Sequence, residues 1–282
     1  MQTDLLETFL DLCETRSFHR SAERLGVTQS TVSARIAALE AALGARLFLR
    51  SRAGTDLTPE GHRFAPHARN LRHEWTEAQR HVQASGPAAQ RLRLGIQNDL
   101  AAEHIGRWVA DFRRALPEAS FYLQPDYSTQ MCADLLEGQQ DFAVLFSPRP
   151  HPDLYFEPLG EVPYVMVSSD PASLPQIRAE RFIFAQVSPV FEALHRAVTP
   201  HLATAPVAVG QGGTVAALLT AMGGAGYVLA QTAETLCASG FHRVVDAPVL
   251  RQPVYAALHV RHRIAPLHRR LARIIQRRLA SG

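Results

Sequence analysis

Six apolar residues in one charged stretch set the plan of this chain. Phe64, Ala68, Leu71, Trp75, Ala78 and Val82 follow one another at spacings of 4, 3, 4, 3 and 4 residues. That is the heptad seam of a helix that offers one apolar line to a partner. The positions between them are mostly Arg, His, Glu and Gln. A lone helix cannot bury such a stripe, so it needs either a second helix or the fold at its own N-terminal end. Pro59 is a suitable first helical residue. Pro66 falls in the early turns and is expected to kink the helix, at about 3 kcal/mol if truly interior. Ser85-Gly86-Pro87 ends it and reads as a linker. The sequence texture differs on its two sides.

Before the seam lie short helical patterns. Leu5, Leu6, Phe9, Leu12 and Cys13 share one helical face. Ser17 is a plausible cap for a second helix over about 19–25, and Gly26-Val27 makes a turn. Thr28 then caps a third helix that runs to about Leu43 and stops at Gly44. Val32, Ile36, Leu39 and Leu43 form its inward face. Its outward face carries Ser30, Ala34 and Ala37, with Gln29 at the tip and Ser33 and Arg35 at the flanks. Residues 46–58 read as two short strands around Ala53-Gly54, a hairpin bearing Arg50 and Arg52. Helix, turn, small-sided helix and basic hairpin together make a winged helix-turn-helix.

The chemistry of that third helix suits DNA. Its N-terminus offers unpaired N–H groups and a positive dipole end to phosphate. Gln29 pairs well with adenine, and Arg35 with guanine or phosphate. Ser30 and Ser33 can meet phosphate or a base edge, and Ala34 leaves room for a thymine methyl. Arg50 and Arg52 can reach the flanking backbone or minor groove. Charge placement agrees. From Arg16 to Arg52 there are seven Arg and two acids, Glu23 and Glu40. Every cation is Arg, since the chain has no Lys.

After the seam, apolar strand patterns alternate with helical ones from 91 to the C-terminus. Strands are expected at 91–96, 120–124, 141–146, 164–169, 182–187, 206–210, 226–230 and 252–260, with helices between them and an amphipathic helix from about Pro266. Alternation of this kind predicts an α/β domain with a largely parallel sheet. Its length, about 190 residues, allows two subdomains.

Other functions find little support. Three cysteines without CxxC spacing argue against a disulfide framework and for a reducing compartment. No signal-peptide pattern opens the chain, and the apolar run 215–230 is short and broken by Gly223-Gly224. The thirteen His show no HExxH or finger spacing, so no metal is expected. There is no GxSxG, and no catalytic constellation or cofactor motif. Cys132 and Cys237 lie in apolar helical contexts, where thiols are usually inert. The Arg-rich tail (Arg269, Arg270, Arg273, Arg277, Arg278) has a clear buried face, so its arginines are expected on a solvated one.

Residues 3–61 resemble the DNA-binding domain of LysR-type transcriptional regulators. The likeness is carried by Phe9, Ser17-Phe18, Ala22-Glu23-Arg24-Leu25, Thr28-Gln29-Ser30, Val32-Ser33, Ile36, Leu39-Glu40, Leu43-Gly44, Leu47-Phe48, Arg50 and 57–61 (LTPEG). It continues, more weakly, through the whole chain, and the N-terminal 85 residues look most similar to the H-NS-dependent flagellar regulator group. The resemblance implies a winged helix-turn-helix over 1–58 and a linker and dimerisation helix over 59–88. It implies an effector domain over 91–282, built like a periplasmic binding protein from two α/β subdomains. Subdomain I would be 91–161 with 266–282, and subdomain II 162–265. It further implies promoter binding as a homodimer or homotetramer. Thr28, Gln29, Ser30, Thr31, Ser33 and Arg35 would lie at the DNA. Ala34 stands where the family often has a larger or basic residue, and Ser21 where it usually has Ala.

On the same mapping an effector would lie between the subdomains, near Gln97, Asn98, Ser128, Thr129, Ser147, Gln186, Gly212, Gly213 and Thr214. These are mostly uncharged donors, suited to a small carboxylate or similar ligand. Asp99, beside them, would repel an anion. The expected function is therefore a cytoplasmic DNA-binding regulator whose affinity is set by a small effector, with RNA polymerase as a further partner. Two alternatives stay open at this point. One is an effector-independent repressor or architectural protein with a vestigial pocket. The other is an enzyme or solute-binding domain fused to a helix-turn-helix.

Overall fold

The structure is a computed structural model, and it describes residues 3–51, 54–83 and 90–280. The described chain divides into two compact units, with the change near residue 86.

The first unit packs α1 (Thr3–Thr15), α2 (Phe18–Leu25) and α3 (Gln29–Leu43) with a small hairpin, β1 (Phe48–Ser51) and β2 (Gly54–Leu57), and the long α4 (Pro59–Gln83). The expected caps hold. Ser17 Oγ accepts from the Arg20 N–H, and Thr28 Oγ1 from the Thr31 N–H at 3.2 Å. Gly26 and Gly44 close their helices at φ 64° each, a conformation glycine adopts without strain. The core gathers Phe9, Leu12, Val32, Ile36, Leu47 and Phe48. Phe9 sits between Phe48 (centroids 5.3 Å) and Phe64 (5.1 Å). A side chain at Gly61 would strike the Leu47 carbonyl, so only glycine lets α4 lie this close to the base of the hairpin.

One expectation is corrected here. Leu43 is 44% exposed, so the inward face of α3 ends at Leu39. Pro66 lies inside α4, two turns from its start. Ser21 is buried and shares a 2.6 Å hydrogen bond with Thr15 Oγ1.

The second unit opens with β3 (Gln90–Gln97), α5 (Asn98–Ala115), β4 (Ala119–Asp126), α6 (Ser128–Leu136) and β5 (Phe142–Leu145). The long β6 (Leu154–Ser168) follows. Next come β7 (Phe182–Ala185), α7 (Pro189–Val198), β8 (Val207–Val209), α8 (Gly212–Met222), β9 (Ala225–Leu229) and α9 (Ala230–Ala238). The short β10 (His242–Arg243), then β11 (Leu250–His259) and α10 (Pro266–Ala280), complete it. The strands join one sheet in the order β4-β3-β5-β11-β6-β9-β7-β8, with β10 on β6.

The sheet is mixed rather than largely parallel. β4-β3-β5 form a parallel flank, and β9-β7-β8 form another. Between them runs the antiparallel pair β6–β11, which meets β5 and β9 antiparallel as well. The sequence pattern marks β6 only from Tyr164, because Pro158, Gly160 and Pro163 resemble a loop. In the fold, 154–163 pair with β11 alone. With one side of the ladder open, a missing proline N–H is tolerated.

Three histidines are buried in this unit: His195, His259 and His268. His195 stacks flat on Phe184 (4.0 Å, 4°), and its Nδ1 lies 3.3 Å from the Ala185 carbonyl oxygen. Burial lowers all three to about 4, from an ordinary value near 6.5. The folded state thus keeps them neutral while the unfolded chain protonates them. Their contribution is complete above about pH 6.5 and is lost as pH falls towards 4, on the order of 3 kcal/mol per histidine at the acid end. Thermal melts from pH 8 to pH 4.5 should therefore fall steeply below pH 6.5, and His195→Leu should flatten part of that slope. A melting temperature constant from pH 7 to 4.5 would contradict this account.

Candidate nucleic-acid interface and effector cleft

The start of α3 is built as an exposed polar tip. Thr28, Gln29 and Ser30 are exposed, as are Ala34 and Ala37 on the outer face, while Thr31 and Ser33 are half-buried. Thr28 Oγ1 lies 2.8 Å from both the Ser30 and the Thr31 hydroxyls, so the cap organises its neighbours. Val32 and Ile36 anchor the helix beneath.

Arg35 departs from this face. Its Nη2 lies 2.8 Å from Asp4 Oδ2, and its Nη1 donates to Thr8 Oγ1 at 3.3 Å. α1 crosses α3 on this flank, so the guanidinium meets the acid at the start of α1 instead of turning outwards. The same acidic helix holds Arg24, which pairs with Asp11 (3.0 Å) and Glu14 (3.1 Å). Much of the apparent basic block is therefore neutralised internally. Arg46 is different. It is exposed at the foot of the hairpin and makes no side-chain ion pair among the described residues. Its backbone is held, because Thr58 Oγ1 donates to the Arg46 carbonyl at 2.7 Å. Glu40 fixes the same corner by accepting from the Leu47 and Phe48 N–H groups (2.7 and 3.2 Å). Sequence reasoning passed over Arg46 and Glu40. The Arg50 side chain and the whole of Arg52 lie outside the described residues.

The seam on α4 divides. Ala68 is buried in the first unit's core and Phe64 packs against it. Leu71 (45%) and Val82 (87%) are exposed, Ala78 is exposed and Trp75 is half-buried. The C-terminal half of the stripe is thus an apolar line left exposed at Leu71, Ala78 and Val82 and half-covered at Trp75.

In the second unit the expected effector residues cluster where helices begin. Gln97 ends β3 and is buried, and its Oε1 accepts from Ser128 Oγ at 2.9 Å. Ser128 Oγ in turn accepts from the Phe146 and Ser147 N–H groups (3.2 and 3.1 Å). That hydroxyl is fully engaged by the protein. Gln186 Nε2 donates to Glu192 Oε1 at 3.2 Å on its own flank. Gly212 is buried, Gly213, Thr214 and Thr129 are exposed, and Asn98 and Ser147 are half-buried.

The residue that joins the two flanks is Asp99. It is 3% exposed; Oδ1 accepts from the Gly212 N–H (2.9 Å) and Oδ2 from the Tyr164 hydroxyl (2.6 Å). Burial raises its carboxyl above the usual range, while the two hydrogen bonds work against that shift. The sequence reading anticipated an inward charge but not its partners, because Tyr164 and Gly212 lie 65 and 113 residues away. A second crossing lies at the surface, where Gln211 Nε2 donates to the Tyr127 hydroxyl at 2.9 Å.

No group of described residues is arranged to hold a metal ion, and no described helix is long and apolar enough to cross a membrane. Cys132 is buried and its thiol is pushed up by desolvation; Cys13 is pushed up to about 12. Neither is poised as a thiolate.

Removing either partner of the Arg35–Asp4 pair should cost little, because Asp4 is mostly exposed. A double-mutant cycle of Arg35→Ala and Asp4→Ala, read by thermal melts, should give a coupling of about 0.5 kcal/mol. A coupling of zero would mean that Arg35 does not rest on α1 in solution.

Two family profiles cover the chain. Residues 3–62 match the bacterial regulatory helix-turn-helix protein of the lysR family, and residues 85–280 match the LysR substrate binding domain. Among curated relatives, the HTH-type transcriptional regulator HdfR of Yersinia enterocolitica is 34% identical over 176 residues. That match takes in 62% of this chain and 60% of the relative. HdfR of Yersinia pestis aligns over the same shares. The expected likeness to the flagellar regulator group is thereby borne out. Among solved structures, full-length OxyR from Pseudomonas aeruginosa superposes with a TM-score of 0.59 at 20% identity, covering 98% of both chains. ArgP from Mycobacterium tuberculosis gives 0.59 at 25% identity, covering 99% of this chain and 97% of its own. The winged fold, the mixed α/β unit and these matches agree: the chain belongs to the LysR family of bacterial helix-turn-helix regulators.

Proposed function

We propose that this protein is a sequence-specific DNA-binding transcriptional regulator whose grip on promoter DNA is adjusted by a small molecule held in its second unit. The observation that carries this reading is the tip of α3: a capped helix start with exposed Gln29 and Ser30 and a small-sided outer face at Ala34 and Ala37. A face without bulk lets the helix sit deep in a major groove. Gln29 reads a base edge, and Ser30, Thr31, Ser33 and the helix N-terminus meet phosphate. Arg46 joins Arg50 and Arg52 as a backbone contact. Arg35 acts indirectly, by setting the angle of α3 on α1.

The uncovered seam at Leu71, Trp75, Ala78 and Val82 supports pairing with a second copy, as a homodimer or as half of a homotetramer. The protein works in the cytoplasm, carries no cofactor and catalyses no reaction; its output passes through RNA polymerase. The effector lies between the two sheet flanks near Asn98, Thr129, Ser147, Gly213 and Thr214, and changes the DNA complex by shifting the population of domain arrangements. The crossings at Asp99–Gly212 and Gln211–Tyr127 favour one other reading, in which the flanks hold each other and no effector is used.

Mobility shifts on the DNA upstream of its own gene, with a salt titration, test the main reading. Gln29→Ala should cost about 1–3 kcal/mol of discrimination between operator and random DNA. Arg46→Ala should weaken both alike and lower the salt slope by about 1. Equal losses of discrimination from the two variants would sink this division of roles. Trp75→Glu should convert the dimer to monomer in analytical ultracentrifugation, and an unchanged sedimentation coefficient would remove the seam from the interface. A thermal-shift screen of metabolites separates the effector from the effector-free reading, since a ligand of the folded state raises the melting temperature.

A further inference from the structure

Two acidic residues one turn apart on α5 reach across to the opposite flank of the sheet. Asp99 accepts from the N–H of Gly212, the first residue of α8. Glu103 Oε1 accepts from the Thr232 N–H (2.9 Å) and the Thr232 hydroxyl, in the first turn of α9. Neither α8 nor α9 has a capping side chain of its own: Gln211 and Leu229 precede them without a side-chain cap bond. Helix starts without caps leave N–H groups in need of an acceptor. Here the acceptors come from α5.

The fit at α8 is specific. A Cβ on Gly212 would lie 3.0 Å from Asp99 Oδ2 and 3.4 Å from its Cγ. The glycine therefore leaves the space in which the carboxylate sits. Oδ2 accepts from the hydroxyl of Tyr164, which is itself fully buried in β6, while Oδ1 takes the Gly212 N–H. Carboxylate, backbone N–H and tyrosine hydroxyl form a closed set that already has the geometry of a bound small acid.

We propose that Asp99 is the specificity-determining residue of the cleft, a built-in carboxylate that fills the anion position at the start of α8. The effector of this protein is therefore uncharged or cationic. This deepens the effector reading above and rests on it. A free carboxylate meets a site already filled, with the Glu103 charge one turn further along α5. A ligand that binds here works beside Asp99, or by drawing Asp99 away from Gly212.

The test uses the full chain at pH 8, with sodium formate and sodium acetate as probes and sodium chloride at matched ionic strength as the control. Wild-type protein should melt at the same temperature in formate, acetate and chloride. Asp99→Ala should melt lower by roughly 2–6 °C, and formate or acetate, but not chloride, should recover part of that loss saturably. The proposal is overturned if wild type is stabilised by the carboxylates as strongly as the variant, or if Asp99→Ala melts like wild type. Failure of Asp99→Ala to respond to either carboxylate also counts against it. Should that variant not fold, isothermal titration of wild type with a panel of carboxylates, amines and neutral metabolites decides: a carboxylate that binds and is lost in Gly212→Ala refutes the proposal. A panel in which nothing binds, of any charge, refutes the effector reading instead.

Discussion

The second unit depends on one antiparallel ladder, β6 against β11. It runs from Leu154↔His259 to Leu250↔Tyr164, with a register shift at Val254/Tyr255. Each parallel flank hangs from one side of this pair, β5 on β11 and β9 on β6. Polar side chains of the same two strands then tie the flanks together. Tyr164 of β6 donates to Asp99. Gln252 of β11 accepts from Ser188 Oγ at 2.6 Å, and Ser188 caps α7. Buried groups of this kind are costly when unpaired, so each such bond specifies one arrangement of the flanks. The starts of α5, α7 and α8 are placed by the ladder and held by these bonds.

In the first unit the controlling feature is the acidic side of α1. Asp4, Asp11 and Glu14 take up Arg35 and Arg24. Net charge along the sequence therefore overstates the charge offered to a polyanion. Among the described residues the small polar helix tip stays outward, as do Arg20 and Arg46, which make no ion pair. Small exposed side chains thus line the outer face of α3, and the cation Arg46 lies apart from them at the foot of the hairpin. The ion pairs of α1 meanwhile tie it to Arg24 of α2 and Arg35 of α3.

Much of this was legible from residues alone, and the legible parts are local. Ser17 and Thr28 cap the helices they precede, because a hydroxyl at that spacing finds an N–H two or three residues on. The seam on α4 was visible in its spacing, and its division was not. Phe64 and Ala68 are claimed by the unit's own core, while Leu71 and Val82 stay outside it. Nothing in a heptad pattern says where a globular core ends. Leu43 fell on the expected stripe and lies beyond the core, for the same reason. Arg35 was expected at the flank of α3, and helical phase does not say what it meets there. The acid that captures it sits 31 positions away.

The sequence by itself determined the alternation of strands and helices after the seam, the small-sided character of the α3 tip and the presence of an acid at position 99. These follow from neighbours within a turn or two, where capping, periodicity and side-chain size act. Only the tertiary structure decided which cations stay free, which part of the seam is uncovered, that β6 begins at Leu154, and what Asp99 holds. Each of these depends on a group brought close from far along the chain, and a contact across 113 residues has no local signature. Position 99 shows the limit plainly. A carboxylate beside the expected effector site looks like an obstacle in sequence, and in the fold it is the ligand of the opposite helix.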